Sequence, residues 1–254
     1  MSTMYENYSG KRKLKRALEI NPAALQPMMT NACIEFIADL LQPDDTVFQY
    51  GSGGSTTVFS SLVKKYISVE HTLEWHEIVK EACKNIDAAE LYHVQANHMK
   101  LDPSLKDPGA KYEKRFCKET HGKATIATEE YDKILSEFPF AHEGDYYSSI
   151  IRYWQYMDYV NKIKDFEDTK FDKILIDGRS RTFCSYRAKD YMHKDSILII
   201  DDAFSEHPGL RYDEEPPAGA PPFVSRFMIE WGNSLNKFYD LMTIIDGMST
   251  WKLK

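Results

Sequence analysis

Between residues 46 and 97 the chain alternates extended and helical patterns, and this alternation constrains the fold more than any other feature. "TVFQY" (46–50) is a short apolar run that leads into "GSGGST" (51–56). "STTVFSSLVKKY" (55–66) then has helical periodicity, with Ser55 or Thr56 at its cap. "YISVEH" (66–71), "LEWHEIVKEACKNI" (73–86) and "ELYHVQAN" (90–97) repeat the order strand, helix, strand. A β-α-β-α-β succession this compact requires parallel strands joined by crossover helices, and therefore an open sheet covered on both faces.

The pattern lapses and then resumes. "KFDKILIDGRSR" (170–181) supplies a fourth strand, "TFCSYRAKDYM" (182–192) a helix and "DSILIIDDA" (195–203) a fifth strand. Both strands are nearly continuous apolar runs, as buried parallel strands are. The end, "FYDLMTIIDGMSTWKLK" (238–254), reads as two β arms joined across Asp246 and Gly247, a hairpin signal. The expected fold class is α/β, a doubly wound, mostly parallel seven-stranded sheet with a C-terminal antiparallel hairpin. One domain over 1–254 is expected, with an N-terminal helical segment at 1–45 and an irregular insert over the active site at 98–142. In the first of these, 27–42 puts Met28, Ala32, Ile34, Ile37, Ala38 and Leu41 on one helical face, with Pro27 in the first turn. The aromatic run "YYSSIIRYWQYMDYVNKI" (146–163) spaces Ile150, Trp154, Met157 and Ile163 helically, as core or as a substrate wall.

Charge and cysteine use exclude some partners. A formal net charge of -7 and a pI of about 5.7 argue against nucleic acid, which needs a basic face. The one basic run, 11–16, reads as a solvated helix face. Cys33, Cys83, Cys117 and Cys184 have neither zinc spacing nor a disulfide pattern, which suits reduced thiols. No apolar stretch approaches the roughly 20 residues of a membrane span, and no secretory signal is evident. A cytoplasmic protein without a membrane partner is expected.

The glycine loop brings backbone close to a ligand. A P-loop needs Gly-Lys-Ser/Thr, but here Gly54 is followed by Ser55. A dinucleotide fingerprint fits at Gly51 and Gly53, with Thr56 in place of the third glycine. Glu70 ends the second strand beside the loop and can accept two hydrogen bonds from a ribose diol, whichever cofactor carries it.

The later segments discriminate. "YGSGGST", "SVEH", "FDKILIDGRSR" and "ILIIDDA" at successive strand ends, with the closing hairpin, resemble the class I S-adenosylmethionine-dependent methyltransferases over residues 28–254 apart from 98–142. The resemblance implies S-adenosylmethionine as cofactor. By it, Gly51, Ser52, Gly53, Gly54 and Ser55 border the methionine part, and Gln49 stands where the family has an acid facing the ammonium group. Glu70 would hold the ribose with His71 beside it. Gln95, Ala96 and Asn97 would border the adenine, and Asp177 would face the reacting centre.

Asp177, Asp201 and Asp202 fall at the carboxyl ends of adjacent strands, where doubly wound sheets place ligands. Three converging carboxylates need a cation or bound protons, and Mg²⁺ is the hard divalent ion that suits them. Some small-molecule and sugar O-methyltransferases of this class hold a metal in this way. In the sugar enzymes an Asp stands two residues beyond the first ligand, where this chain has Arg179. The alternative is that Asp201 and Asp202 cap the next turn. Asp177, Asp202 and Arg179 are the candidate catalytic residues. Arg179 and Arg181 would clamp a carboxylate or phosphate, or form surface ion pairs. His142 and His207 lie in overhanging loops as candidate bases or as exposed residues. The expected activity is O-methylation of a small-molecule or glycan acceptor, selected by the insert and the 204–222 loop. An NAD-dependent oxidoreductase and a non-catalytic scaffold are the rivals.

Overall fold

The computed structural model describes residues 9–97, 133, 136–138, 153–203 and 238–254. The 204–222 loop, His142, His207, Ile150, Cys117 and all but four residues of the 98–142 insert lie outside them. Helices α1 (Gly10–Ile20) and α2 (Asn31–Leu40) precede β1 (Thr46–Tyr50), α3 (Gly54–Phe59), β2 (Lys65–Glu70), α4 (Leu73–Ala82) and β3 (Ala89–His93). After the insert come α5 (Met157–Asn161), β4 (Phe171–Ile176), α6 (Arg181–Ala188), β5 (Met192–Ile200), β6 (Tyr239–Ile245) and β7 (Met248–Leu253).

The seven strands form one sheet in the order β3-β2-β1-β4-β5-β7-β6, parallel from β3 to β5 and antiparallel through β7 and β6. The chain runs outward from β1 to β3, then returns to β4 on the other side of β1. That reversal is the topological switch point, and ligands bind there, outside the strand carboxyl ends. The hairpin closes as the Asp-Gly pair demands: Asp246 and Gly247 take φ of 45° and 86°, both positive.

Side chains alternate across the sheet. Phe48, Tyr50, Ile174, Ile176, Leu198 and Ile200 face a core shared with α5 and α6. Val47, Leu175 and Ile199 face the opposite core, with α1, α2 and α3. In the described part of the aromatic run, Tyr153, Trp154, Tyr156, Tyr159 and Ile163 are buried in the first cluster.

Element boundaries depart from the sequence pattern where a local hydrogen bond outweighs periodicity. Helix α2 begins at Asn31, not at 27, because Thr30 caps it, its Oγ1 accepting from Cys33 N at 3.3 Å. Met28 and Ala32 are accordingly exposed. The chain leaves the helical conformation after Leu62, so Lys65 and Tyr66 belong to β2. In the basic run, Lys13 is no solvated charge: its Nζ donates to Asp39 O (2.9 Å) and Leu41 O (2.6 Å) at the end of α2. The three described cysteines, Cys33, Cys83 and Cys184, are free and buried. Among the described residues no helix is long and apolar enough to cross a membrane.

Candidate functional site

Ladder bonds continue past the strand ends and align the turns. Gly51 N donates to Val69 O (2.9 Å), Asp177 N to Tyr50 O (2.9 Å) and Asp201 N to Ile176 O (3.0 Å). Gly51 has φ of +90°, and a Cβ there would meet the Gly178 backbone at 2.8 Å. Only glycine permits this approach of the β1 and β4 turns. Above Gly53, by contrast, there is space, for a Cβ would meet only Trp75 Nε1, at 3.9 Å. Gly54 packs inward against the Gln26 carbonyl.

Gln49 organises this turn. Its Nε2 donates to Gly51 O (2.7 Å) and Ser55 Oγ (2.8 Å), and its Oε1 accepts from Thr56 Oγ1 (2.8 Å) and Tyr66 Oη (2.7 Å). The side chain is fully buried, and these four bonds use both amide hydrogens and both lone pairs. Ser52 Oγ pairs with Ser68 Oγ at 2.7 Å, and Trp75 Nε1 donates to Ser52 O at 2.8 Å. The helix cap is reversed from the expected one: Gly53 is the N-cap, and Thr56 Oγ1 accepts from its N–H at 3.0 Å.

Glu70 lies alongside. Its Oε2 accepts from Ser52 N (3.1 Å) and its Oε1 from Thr72 N (2.9 Å), with His71 Nδ1 3.0 Å away. Burial alone would raise its pKa, but the His71 hydrogen bond and charge, with backbone N–H donors, hold it below the ordinary carboxylate range. A carboxylate offers about four lone-pair positions, and Ser52 N, Thr72 N and the side chain and backbone of His71 engage them. The His71 ring sits edge-on to Tyr156 (5.3 Å) and near Tyr159 (5.9 Å). Beyond β3, Ala96 is buried, Gln95 is half-buried, and Asn97 Nδ2 donates to Trp154 O at 2.7 Å. Asn97 thereby ties the β3 end to the aromatic segment.

Across the switch point Asp177, Asp201 and Asp202 come together around Arg181. Arg181 Nη2 lies 3.5 Å from Asp177 Oδ1 and Nη1 3.6 Å from Asp202 Oδ2, while Nη1 also donates to Asp201 O and Nε to Gly178 O (3.1 Å). This corrects the reading of Arg181 as a surface ion pair, since only 18% of its side chain is exposed. Arg179 meets α6 through its carbonyl, which accepts from Cys184 Sγ at 3.4 Å. Burial, followed by the Asp201 charge, pushes Asp177 well above the ordinary range, and Arg181 only partly offsets this. Burial likewise raises Asp201, against Arg181, and the two carboxyls share a hydrogen bond. Ser180 and Asp202 both take left-handed φ of 52°. Among the described residues no three His, Cys, Asp or Glu side chains converge as a metal cage. The cation among these carboxylates is a guanidinium. A cavity of about 430 Å³ opens beside them, bounded by Met28, Met29, Cys33, Asp201, Asp202 and Asp246.

One residue of the site, Tyr159, escaped the sequence reading, whereas Arg181, read there as a clamp or an ion-pair partner, reaches Asp177 from four residues on, at the start of α6. Tyr159 carried no signal beyond membership of an aromatic run.

No protein-family model matches the sequence, and no curated protein matches it. Among solved structures, a methyltransferase-like protein from Silicibacter pomeroyi aligns over 91% of this chain and 90% of its own, with 17% identity and a TM-score of 0.53. An O-methyltransferase from Bacillus cereus, solved with S-adenosylhomocysteine, aligns over 99% and 93%, with 11% identity and a TM-score of 0.51. At such identities the likeness is one of fold, and the fold of this chain is that of the class I methyltransferases.

Proposed function

We propose that this chain is a S-adenosylmethionine-dependent methyltransferase that methylates a hydroxyl of a small-molecule or glycan acceptor. One observation carries the proposal. At the switch point of a class I methyltransferase sheet, a glycine turn with open space above Gly53 lies beside Glu70, a buried carboxylate kept ionised. An adenosyl ligand fits these groups: the turn admits it closely, and the Glu70 carboxylate lies beside it for a ribose hydroxyl. His71, Gln95 and Asn97 lie on the adenine side. Gln49 and Ser55 act by holding the turn in shape.

When bound, the sulfonium supplies an electrophilic methyl group, and transfer demands mainly positioning. The chain's part in the chemistry is a proton. Burial raises both Asp177 and Asp201 above the ordinary carboxylate range, and the Asp201 charge raises Asp177 further. A deprotonated oxygen of this pair takes the acceptor's hydroxyl proton while Arg181 holds the pair in place. A raised pKa suits a carboxylate to this task. The net charge of -7 disfavours a nucleic-acid acceptor.

Mg²⁺ fits less well, because Arg181 holds the position among the carboxylates that an ion would need. No step is assigned to it. Titration calorimetry tests the proposal: heat is expected with S-adenosylhomocysteine and none with NAD⁺. Heat with NAD⁺ alone would return the fold to an oxidoreductase, and silence with both would make it a scaffold.

A further inference from the structure

Among the described residues five tyrosines are almost wholly buried: Tyr50, Tyr66, Tyr153, Tyr159 and Tyr239. Four have partners for their hydroxyls. Tyr50 donates to Val160 O (2.8 Å), Tyr66 to Gln49 Oε1 (2.7 Å) and Tyr239 to Ser185 O (2.8 Å), while Tyr153 accepts from Asn161 Nδ2 (2.9 Å). Among the described residues Tyr159 Oη has no hydrogen-bond partner. A buried hydroxyl left unbonded is costly, and a phenylalanine would fill the same space without that cost.

The place of this hydroxyl is informative. The Tyr159 ring packs on Tyr50 (5.5 Å) and near His71 (5.9 Å). Its Oη lies against Gly178, where any Cβ would collide with it. Gly178 is itself pressed against Gly51. The orphan donor therefore sits where the β1 and β4 turns meet, with Glu70 and Asp177 among the charges that act on it. Burial, before any of those charges, pushes the phenol far above its ordinary range, so the group is a neutral O–H across accessible pH.

We infer that Tyr159 is a ligand-positioning residue whose hydroxyl donates a hydrogen bond to an oxygen of the molecule held at the switch point. The inference rests on the proposed function for the identity of that molecule, an adenosyl ligand. Glu70 only accepts and Tyr159 Oη is free to donate, so together they match a ligand that carries both hydroxyl donors and oxygen acceptors. The sequence left the aromatic run open between core and substrate wall. The Tyr159 ring lies in the core, and its buried oxygen lies at the junction of the β1 and β4 turns, against Gly178.

Tyr159→Phe removes that oxygen and leaves the ring. The thermal midpoint is expected to stay or rise, while Kd for S-adenosylhomocysteine rises about fivefold to tenfold, up to about 1.4 kcal/mol at a tenfold change. A merely structural hydroxyl would do the reverse. Tyr50→Phe provides that contrast: it loses the bond to Val160 O, so its midpoint should fall with Kd unmoved. Unchanged affinity in Tyr159→Phe would overturn the inference, as would a variant that fails to fold, since the oxygen would then be structural. If the parent itself gives no heat with S-adenosylhomocysteine, the proposed function fails first and takes this inference with it. If the parent binds and Tyr159→Phe binds equally, only the inference fails.

Discussion

The two sides of the switch point are built on opposite principles. On the β1–β2 side neutral dipoles interlock: Gln49 alone joins Gly51, Ser55, Thr56 and Tyr66, and Ser52 pairs with Ser68. The one charge there, Glu70, is satisfied by backbone N–H groups and His71 and stays ionised. On the β4–β5 side the Arg181 guanidinium pairs with the Asp177 and Asp202 carboxylates and the Asp201 carbonyl, two residues adopt left-handed backbone, and Asp177 and Asp201 are driven toward protonation. On the proposed function, the first side is the one preorganised to hold the cofactor and the second the one that accepts a proton, so the two tasks fall on separate strands.

Gln49→Leu gives the largest effect expected from this contrast. It strips partners from Ser55, Thr56, Tyr66 and Gly51 in a fully buried place, where each orphaned group costs about 1–3 kcal/mol before relaxation. A loss of about 3–5 kcal/mol in urea denaturation is expected. A loss below about 1 kcal/mol would break the claim that this side is held by neutral bonds. Next comes Glu70→Ala, which should weaken S-adenosylhomocysteine at least about tenfold by removing a charged acceptor, about 1.4 kcal/mol or more. Equal affinity would remove Glu70 from the site.

The two sides should also respond to pH with opposite sign. Glu70 has a lowered pKa, so the stability it contributes is present above the ordinary carboxylate range and is lost as pH falls through the lowered value. Asp177 and Asp201 have raised values, so their contribution is complete below the ordinary range and is lost as pH rises through the raised ones. Asp177→Asn keeps a neutral group there at every pH. The variant should melt about 2–4 °C higher than the parent near neutrality and match it in acid, with methyl transfer lost. A variant that loses stability equally at both pH values would show that the cluster stores no repulsion.

These contrasts were unevenly legible in the sequence. The sheet, its switch point and the Asp-Gly hairpin follow from hydrophobic period and turn chemistry, which are local. The three aspartates and the glycine turn could be assigned to strand ends for the same reason. What Gln49 does could not be read, because its partners come from β2 and α3 as well as its own turn and become neighbours only once the strands pair. Tyr159 was hidden for a related reason: helical aromatic spacing is the same whether or not a hydroxyl ends at the junction of the β1 and β4 turns. Arg181 was legible as an ion-pair partner, since Asp177 and Arg181 are four residues apart and an i, i+4 pair needs no tertiary information, but its burial among the three aspartates was not.

Asp202→Asn is the smallest effect and the sharpest test of what balances the cluster. Asp202 exposes 48% of its side chain and takes φ of 52°, which asparagine also tolerates. The substitution loses a partly exposed ion pair with Arg181, worth about 0–1 kcal/mol. It also removes a charge that raises both Asp177 and Asp201. The opposed terms should nearly cancel, leaving a stability change within about 0.5 kcal/mol. The pH at which the cluster deprotonates should move down, because one repelling charge has gone. If Arg181 is the balancing cation, EDTA changes nothing and methyl transfer by Asp202→Asn survives within a few-fold. A divalent ion held by Asp202 predicts the contrary: EDTA abolishes activity, and the asparagine variant recovers only with excess metal.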